Sequence, residues 1–234
     1  MNKKLNIVLF CYNFPHRKTI DFFNKLYQNQ FNISLILAAN YIQIESPKSA
    51  ISLPKKHIQS SIDELAKKHS IPFFVVKHNS QDTIQLVKEY KINFGVISGA
   101  RILNKKVINL IRYGVINFHP GILPYIRGLD SILWAIYKKY PIGVTAHLIN
   151  DKIDSGLLVC QQKINISFDD NIESLYEKNY QLQLDLLPIS LNLVLQNKIF
   201  KDLELGEYNS KMTYEMQLMV KKSINQYIKN NLIE

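Results

Sequence analysis

Three side chains in the middle of the chain have the types and spacing that acyl chemistry needs. Asn117 and His119 are two residues apart in the apolar run Gly114 to Phe118 and its end, and Asp154 follows thirty-five residues after His119 in Asp-Ser-Gly. Residues two apart in a strand point to the same face, so the amide and the imidazole share one. Pro120 has no N–H and cannot continue a ladder, so the strand ends where His119 is presented. Asp154 comes just after a second apolar strand, Gly143 to Ile149. An amide can donate to a developing oxyanion, an imidazole can donate or shuttle a proton, and a carboxylate can orient the imidazole and take a proton. The set suits acyl or one-carbon transfer without a covalent enzyme intermediate, and neither cysteine falls within it.

Holding such residues requires a frame of strands and helices, and the chain spells one. Leu5 to Tyr12 and Ile33 to Ala39 are continuous apolar runs of the kind found in strands buried on both faces. Between them, Thr19 to Gln30 carries Phe22, Phe23, Leu26 and Tyr27 at helical spacing. Asn40 to Lys56 reads as an irregular loop. Ser60 to His69 reads as a helix with Ser61 as N-cap and Glu64 three residues on. Pro72 to Val76 is a third strand, Gln81 to Tyr90 a helix, Phe94 to Ser98 a fourth strand, and Lys105 to Ile111 a helix. Trp134, Ala135 and Tyr137 belong to a helix that Asp130 is placed to cap. Cys160 to Ile166 reads as a strand and Asn171 to Leu187 as a helix; the apolar pattern runs on to Leu195 past Pro188, which should kink or restart it. A last helix covers Lys211 to Glu234, with Met212, Met216, Met219 and Ile224 facing a partner or packed back. The alternation predicts an α/β fold: a Rossmann-like, mostly parallel sheet with helices on both faces and a short C-terminal extension. The expected division is a catalytic domain over 1–195 and an extension over 196–234 that serves dimerisation. The first turn lacks Gly-x-Gly-x-x-Gly, which argues against a dinucleotide site there.

Composition narrows the classes. The chain has 234 residues, 47% of them hydrophobic, and a formal net charge of +10. That is enough apolar content for a real core, and the charge favours an anionic partner or reflects a lysine-rich surface. No long basic run occurs, and the aromatics fall at core periods, which speaks against a polyanion- or RNA-binding module. Cys11 and Cys160 lie inside apolar runs and read as buried free thiols of a reducing compartment. No run approaches a membrane span and the N-terminus lacks a signal-peptide pattern, so the expectation is a cytoplasmic protein with no membrane or nucleic-acid partner. His16, His57, His69 and His78 have no metal-ligand spacing, and no metal is expected.

The motifs Asn117-Phe118-His119-Pro120, Leu123-Pro124, Arg127-Gly128, Gly143-Val144-Thr145-Ala146-His147 and Asp154-Ser155-Gly156, in this order, resemble the folate-dependent formyltransferase family. That family includes glycinamide ribonucleotide formyltransferases, the N-terminal domain of methionyl-tRNA formyltransferases, and nucleotide-sugar N-formyltransferases. The spelling His-Pro-Gly-Ile-Leu-Pro, with Arg-Gly-Leu-Asp-Ser and Trp-Ala-Ile, is most similar to the sugar enzymes. Gly121 stands where glycinamide ribonucleotide enzymes usually have serine.

The resemblance implies transfer of a formyl group from 10-formyltetrahydrofolate to a primary amine. Asn117 and His119 would donate to the oxyanion, and Asp154 would orient His119 and take the amine's proton. It also implies a folate slot formed by Arg101, Ile102 and Leu103 together with His147, Ile149, Asn150 and Asp151. For the acceptor, Lys77 and Asn79 follow a strand end, and Arg127 and Asp130 sit in the motif loop. Each has an ordinary alternative: a solvated loop for Lys77 and Asn79, a loop brace for Arg127, a helix cap for Asp130, a structural histidine for His147. The expected acceptor is a dTDP-linked 4-amino-4,6-dideoxy sugar destined for a surface polysaccharide (O-antigen), handled by a homodimer. The few residues beyond the fold core weigh against the larger tRNA enzymes.

Overall fold

A computed structural model describes residues 4–43, 47–54, 58, 60–196 and 198–232. His57 lies outside the described residues. The first half alternates strand and helix: β1 (Ile7–Tyr12), α1 (Arg17–Gln28), β2 (Ile33–Ala39), α2 (Ile62–Lys68), β3 (Phe73–Val75), α3 (Gln81–Glu89), β4 (Phe94–Ile97), α4 (Lys105–Ile108) and β5 (Val115–His119). The second half contains β6 (Arg127–Gly128), α5 (Ser131–Lys138), β7 (Gly143–Ile149), β8 (Gly156–Lys163), α6 (Ile172–Leu195), β9 (Lys201–Asp202), β10 (Tyr208–Asn209) and α7 (Tyr214–Asn230).

Eight strands form one sheet in the order β3-β2-β1-β4-β5-β7-β8-β9, and β10 pairs with β6 in a separate two-stranded ribbon. The five strands from β3 to β5 run parallel, and β7 joins β5 antiparallel. The fold is the expected α/β, mostly parallel sheet. Its strands β1 and β4 are built almost wholly of apolar residues and glycine because both faces are covered. Ile7, Leu9 and Cys11 face α1, α2 and α6, while Val8 and Phe10 face α3 and α4. Among the described residues no helix is long and apolar enough to cross a membrane.

The strand that carries the candidate site is anchored by its alternate residues. Phe118 is 1% exposed and meets Phe22 of α1 edge to face, ring centroids 5.5 Å apart. Truncating a buried phenylalanine to alanine costs about 3–5 kcal/mol, so this one ring does much to fix β5 in the sheet. Residues 117 and 119 then point the other way, as the period requires.

Several local readings are revised. At Pro188, where a kink or a restart was expected, the helix does not restart but continues through all 24 residues; Leu186, Leu187, Leu191 and Val194 bury its inner face on both sides of the proline. β8 starts at Gly156, four residues earlier than its sequence suggested, because it pairs with β7 directly from the hairpin. Asp130 occupies the position before α5 in a left-handed conformation, φ 47°, and its side chain caps nothing in that helix. Its Oδ2 accepts the Met212 N–H at 2.9 Å instead. Met212 is buried, and α7 lays Val220, Tyr227 and Ile228 against Ile132, Leu133 and Ile136 of α5.

Candidate active site

β5 and β7 place the central residues by register. Asn117 stands opposite His147, and His119 opposite Thr145. His147 is fully buried. Its Nδ1 lies 3.0 Å from the Ser155 carbonyl, which can only accept, so Nδ1 carries the proton and Nε2 carries a lone pair. Asn117 Nδ2 donates to that lone pair at 3.2 Å. Burial, and then the neighbouring His119, push the His147 imidazole down to about 4, so it stays neutral near pH 7. Its tautomer therefore decides which way the Asn117 amide faces, leaving the second amide N–H of Asn117 for a ligand.

His119 is held at both ring nitrogens. Nε2 donates to the Ile126 carbonyl at 2.6 Å, with Ser131 Oγ 3.3 Å away, and Nδ1 lies 3.3 Å from Asp154 Oδ1. Because Nε2 is committed to a carbonyl, the contact between Nδ1 and Asp154 is a hydrogen bond only when a second proton lies between them. Burial pushes the Asp154 carboxyl up, but the His119 hydrogen bond and charge and the Gly128 N–H together hold it below its usual range. That N–H meets Oδ2 at 2.9 Å. In this arrangement both ring nitrogens of His119 are engaged, while Asn117 keeps one amide N–H that bonds no other described residue.

The loop around His119 is compact for a specific reason. A Cβ on Gly121 would stand 2.6 Å from the Ile126 carbonyl oxygen and 2.9 Å from His119 Nε2. Glycine at 121 is what lets Ile126 reach the imidazole. Thr145 Oγ1 donates to the Gly121 carbonyl at 2.7 Å, and Gln161 Nε2 bonds both Thr145 and the Leu123 carbonyl.

The residues expected to hold folate divide. Arg101 and Ile102 are exposed and Leu103 is buried, on the loop that follows β4. Asn79 fixes this loop: its Nδ2 donates to the Ile102 carbonyl and its Oδ1 accepts the Asn104 N–H, both at 2.8 Å. No described residue bonds the main-chain N–H or C=O of Arg101 or Leu103. That donor and acceptor set lies beside the apolar, exposed Ile102 side chain. Ile149 is half-buried and packs beside the α3/α4 core. Asn150 is engaged in its own turn through Ser155 and Lys152, and Asp151 lies 3.9 Å from Lys105. His147 is enclosed with both nitrogens engaged, so its place is beneath Asn117 and not on a slot wall.

The acceptor-side residues are less gathered. Lys77 is exposed beyond β3, and β3 is four strand spacings, roughly 19 Å, from β5. Asn79 has both ends of its amide used on the loop. Arg127 donates from Nε to the Ile153 carbonyl at 2.8 Å and from Nη1 to the Gly206 carbonyl at 3.1 Å, with its guanidinium over the Tyr208 ring. It braces loops. Asp130 is bound to Met212. Sequence reasoning missed Ser131, the Ile126 carbonyl and Lys18. The Lys18 ammonium reaches the Phe118 carbonyl at 3.4 Å and is pushed down to about 8 by desolvation. Ser131 stands in the Arg-Gly-Leu-Asp-Ser motif with no role read for it there; the Ile126 carbonyl and Lys18, which is on α1, come in only with the folded chain. Among the described residues no cluster able to hold a metal ion is found.

The formyl transferase family matches residues 16–191, which include Asn117, His119, His147 and Asp154. The chain belongs to the formyl transferase family. One formyl transferase relative, the methionyl-tRNA formyltransferase of Bacteroides fragilis, is 28% identical over 142 residues, 60% of this chain and 44% of that one. The match thus spans less than half the length of that relative. Among solved structures, the phosphoribosylglycinamide formyltransferase from Bacillus halodurans superposes with a TM-score of 0.62 at 22% identity, over 82% of this chain and 96% of that one. A sugar N-formyltransferase from a Shewanella species gives 0.62 at 20% identity, over 93% and 87%. Both likenesses are of fold, and they place this chain's sheet and helices among formyl transferases.

Proposed function

We propose that the chain transfers a formyl group from 10-formyltetrahydrofolate to the 4-amino group of a dTDP-linked 4-amino-4,6-dideoxy sugar, a step that would serve surface-polysaccharide (O-antigen) synthesis. The observation that carries formyl transfer is the convergence of the Asn117 amide with the proton station of His119 and Asp154. 10-Formyltetrahydrofolate would supply a formyl carbon activated on nitrogen. Asn117 would donate its free N–H to the formyl oxygen as negative charge develops there, worth about 3 kcal/mol for one well-placed donor. Asp154 and His119 would accept the proton that the attacking amine loses and return one to the departing nitrogen, so the enzyme ends as it began. Arg101 and Leu103 would hold the pterin through main-chain groups, with Ile102 as a wall.

The sugar as acceptor is supported by the Leu129-Asp130-Ser131 and Trp134-Ala135-Ile136 spelling. A homodimer through the C-terminal segment goes with this reading. A second reading, methionyl-tRNA as acceptor, is favoured by the curated relatives and by the net charge of +10. The test is purified protein with 10-formyltetrahydrofolate and a panel of amines: dTDP- and GDP-linked amino sugars, glycinamide ribonucleotide and methionyl-tRNA. A mass gain of one formyl group confined to the dTDP sugars is the expected result. Turnover on tRNA alone would replace the acceptor, and absence of folate binding would sink formyl transfer.

A further inference from the structure

We propose that the segment 206–212, outside the residues matched by the family, is part of the catalytic apparatus, with Asn209 a positioning residue that holds the Gly128 N–H on Asp154. The segment runs alongside residues 127–134. Tyr208 pairs with Arg127 and Asn209 with Gly128 in parallel register. Asn209 is 3% exposed. Its Nδ2 donates to the Arg127 carbonyl at 2.8 Å, and its own carbonyl accepts the Leu129 N–H at 2.9 Å. One residue thus grips the backbone on both sides of Gly128.

Gly128 needs this neighbour as much as it is shaped by it. Its φ is +101°, and a Cβ there would collide with the Asn209 backbone, so only glycine allows so close an approach. The N–H between the two gripped positions is the one that meets Asp154 Oδ2, while Oδ1 faces His119. Arg127 adds a second link, since it binds Ile153, the residue before Asp154, and Gly206 at the same time. The segment is also held by the Ser210 carbonyl on Trp134 Nε1, 2.8 Å, and by the Met212 N–H on Asp130. The groups that face Asp154 are therefore His119 from β5, His147 from β7 and the Gly128 N–H from β6, with the Arg127 guanidinium braced on its loop. Asn209 controls the third of these.

This inference rests on the proposed formyl transfer for its kinetic part only. Asn209→Ala should lower kcat about tenfold with each KM within about twofold, which marks loss of an interaction made in the transition state. Its acid limb should move up, because Asp154 loses a donor to its charged form. Lys138→Ala, which removes only the ion pair to the exposed Glu207 of the same segment, should leave the limb in place. A folded Asn209→Ala protein with wild-type kcat and an unmoved limb would overturn the proposal. Should that variant not fold, wild-type protein decides. The Gly128 amide proton shift must titrate with an acidic inflection that disappears in Asp154→Asn, and a flat shift overturns the coupling even if no amine is ever formylated.

Discussion

Asn117 and His147 face one another across the β5–β7 pair, amide nitrogen to Nε2 at 3.2 Å, and the imidazole proton on the far side is spent on the Ser155 carbonyl. An asparagine amide has two similar ends, and this pairing chooses between them. Asn117→Ala should cost about 10²- to 10³-fold in kcat, as loss of an oxyanion donor does. His147→Phe keeps a ring but frees the amide to turn, and should cost less, on the order of tenfold. Single-turnover formylation of the best acceptor measures both. Equal losses would mean that His147 does more than aim its neighbour.

The His119–Asp154 pair has a signature in stability against pH. A carboxyl held below its usual value contributes stability above the ordinary carboxylate pKa of about 3.9, and that contribution fades as pH falls through the folded-state value. Asp154→Asn lacks the titrating group. The thermal midpoint of wild type minus that of the variant should be largest above about pH 5 and shrink on acidification. A difference independent of pH would show that Asp154 is not held as a charged partner.

Gly121 is predicted to resist substitution for a reason local to His119. In Gly121→Ser the added Cβ meets a backbone carbonyl, which cannot swing aside as a side-chain tip can. The loop must shift, at a cost of about 1–3 kcal/mol, and the Ile126–His119 bond opens. Urea unfolding should report the cost, and kcat should fall with little change in folate KM. Wild-type kcat in the serine variant would show that the Ile126 carbonyl is not needed.

Asn79 acts at a distance from the chemistry. With both ends of its amide on the loop of Arg101 to Asn104, Asn79→Ala should loosen the proposed folate contacts and leave the reacting groups alone. Folate KM should rise about tenfold with kcat within about twofold, the pattern of lost uniform binding. A drop in kcat at unchanged KM would move Asn79 from the cofactor loop to the acceptor.

The succession of the main strands along the chain and the strand-end residues were legible because β1, β2 and β4 are dominated by apolar residues and because Pro120 stops β5 just after His119. The alternation of 117 and 119 against 116 and 118 needed only the strand period. What stayed hidden was carried by backbone atoms and by short elements. The Ile126 carbonyl that fixes His119 has no side-chain signature. β6 and β10 are two residues each, too short to show a period, so the pairing of Asn209 with Gly128 could not be read. Asp130 has the composition of a cap and the setting of one, yet its left-handed backbone sends the carboxylate to Met212. Lys77 and Asn79 are suggested by their place after a strand end and Arg127 by its charge; the folded chain uses the last two as braces.

The tie between Asn209 and Arg127 joins positions 82 apart in the chain. During synthesis, which proceeds from the N-terminus, β1 to β5 and the Asp154 hairpin leave the ribosome well before the strand that steadies Gly128 exists. Closing a loop that long carries an entropic cost that nearby pairings do not. The motif residues are therefore all made well before Asn209 is, and β1 to β8 are synthesised before the strand that grips Gly128.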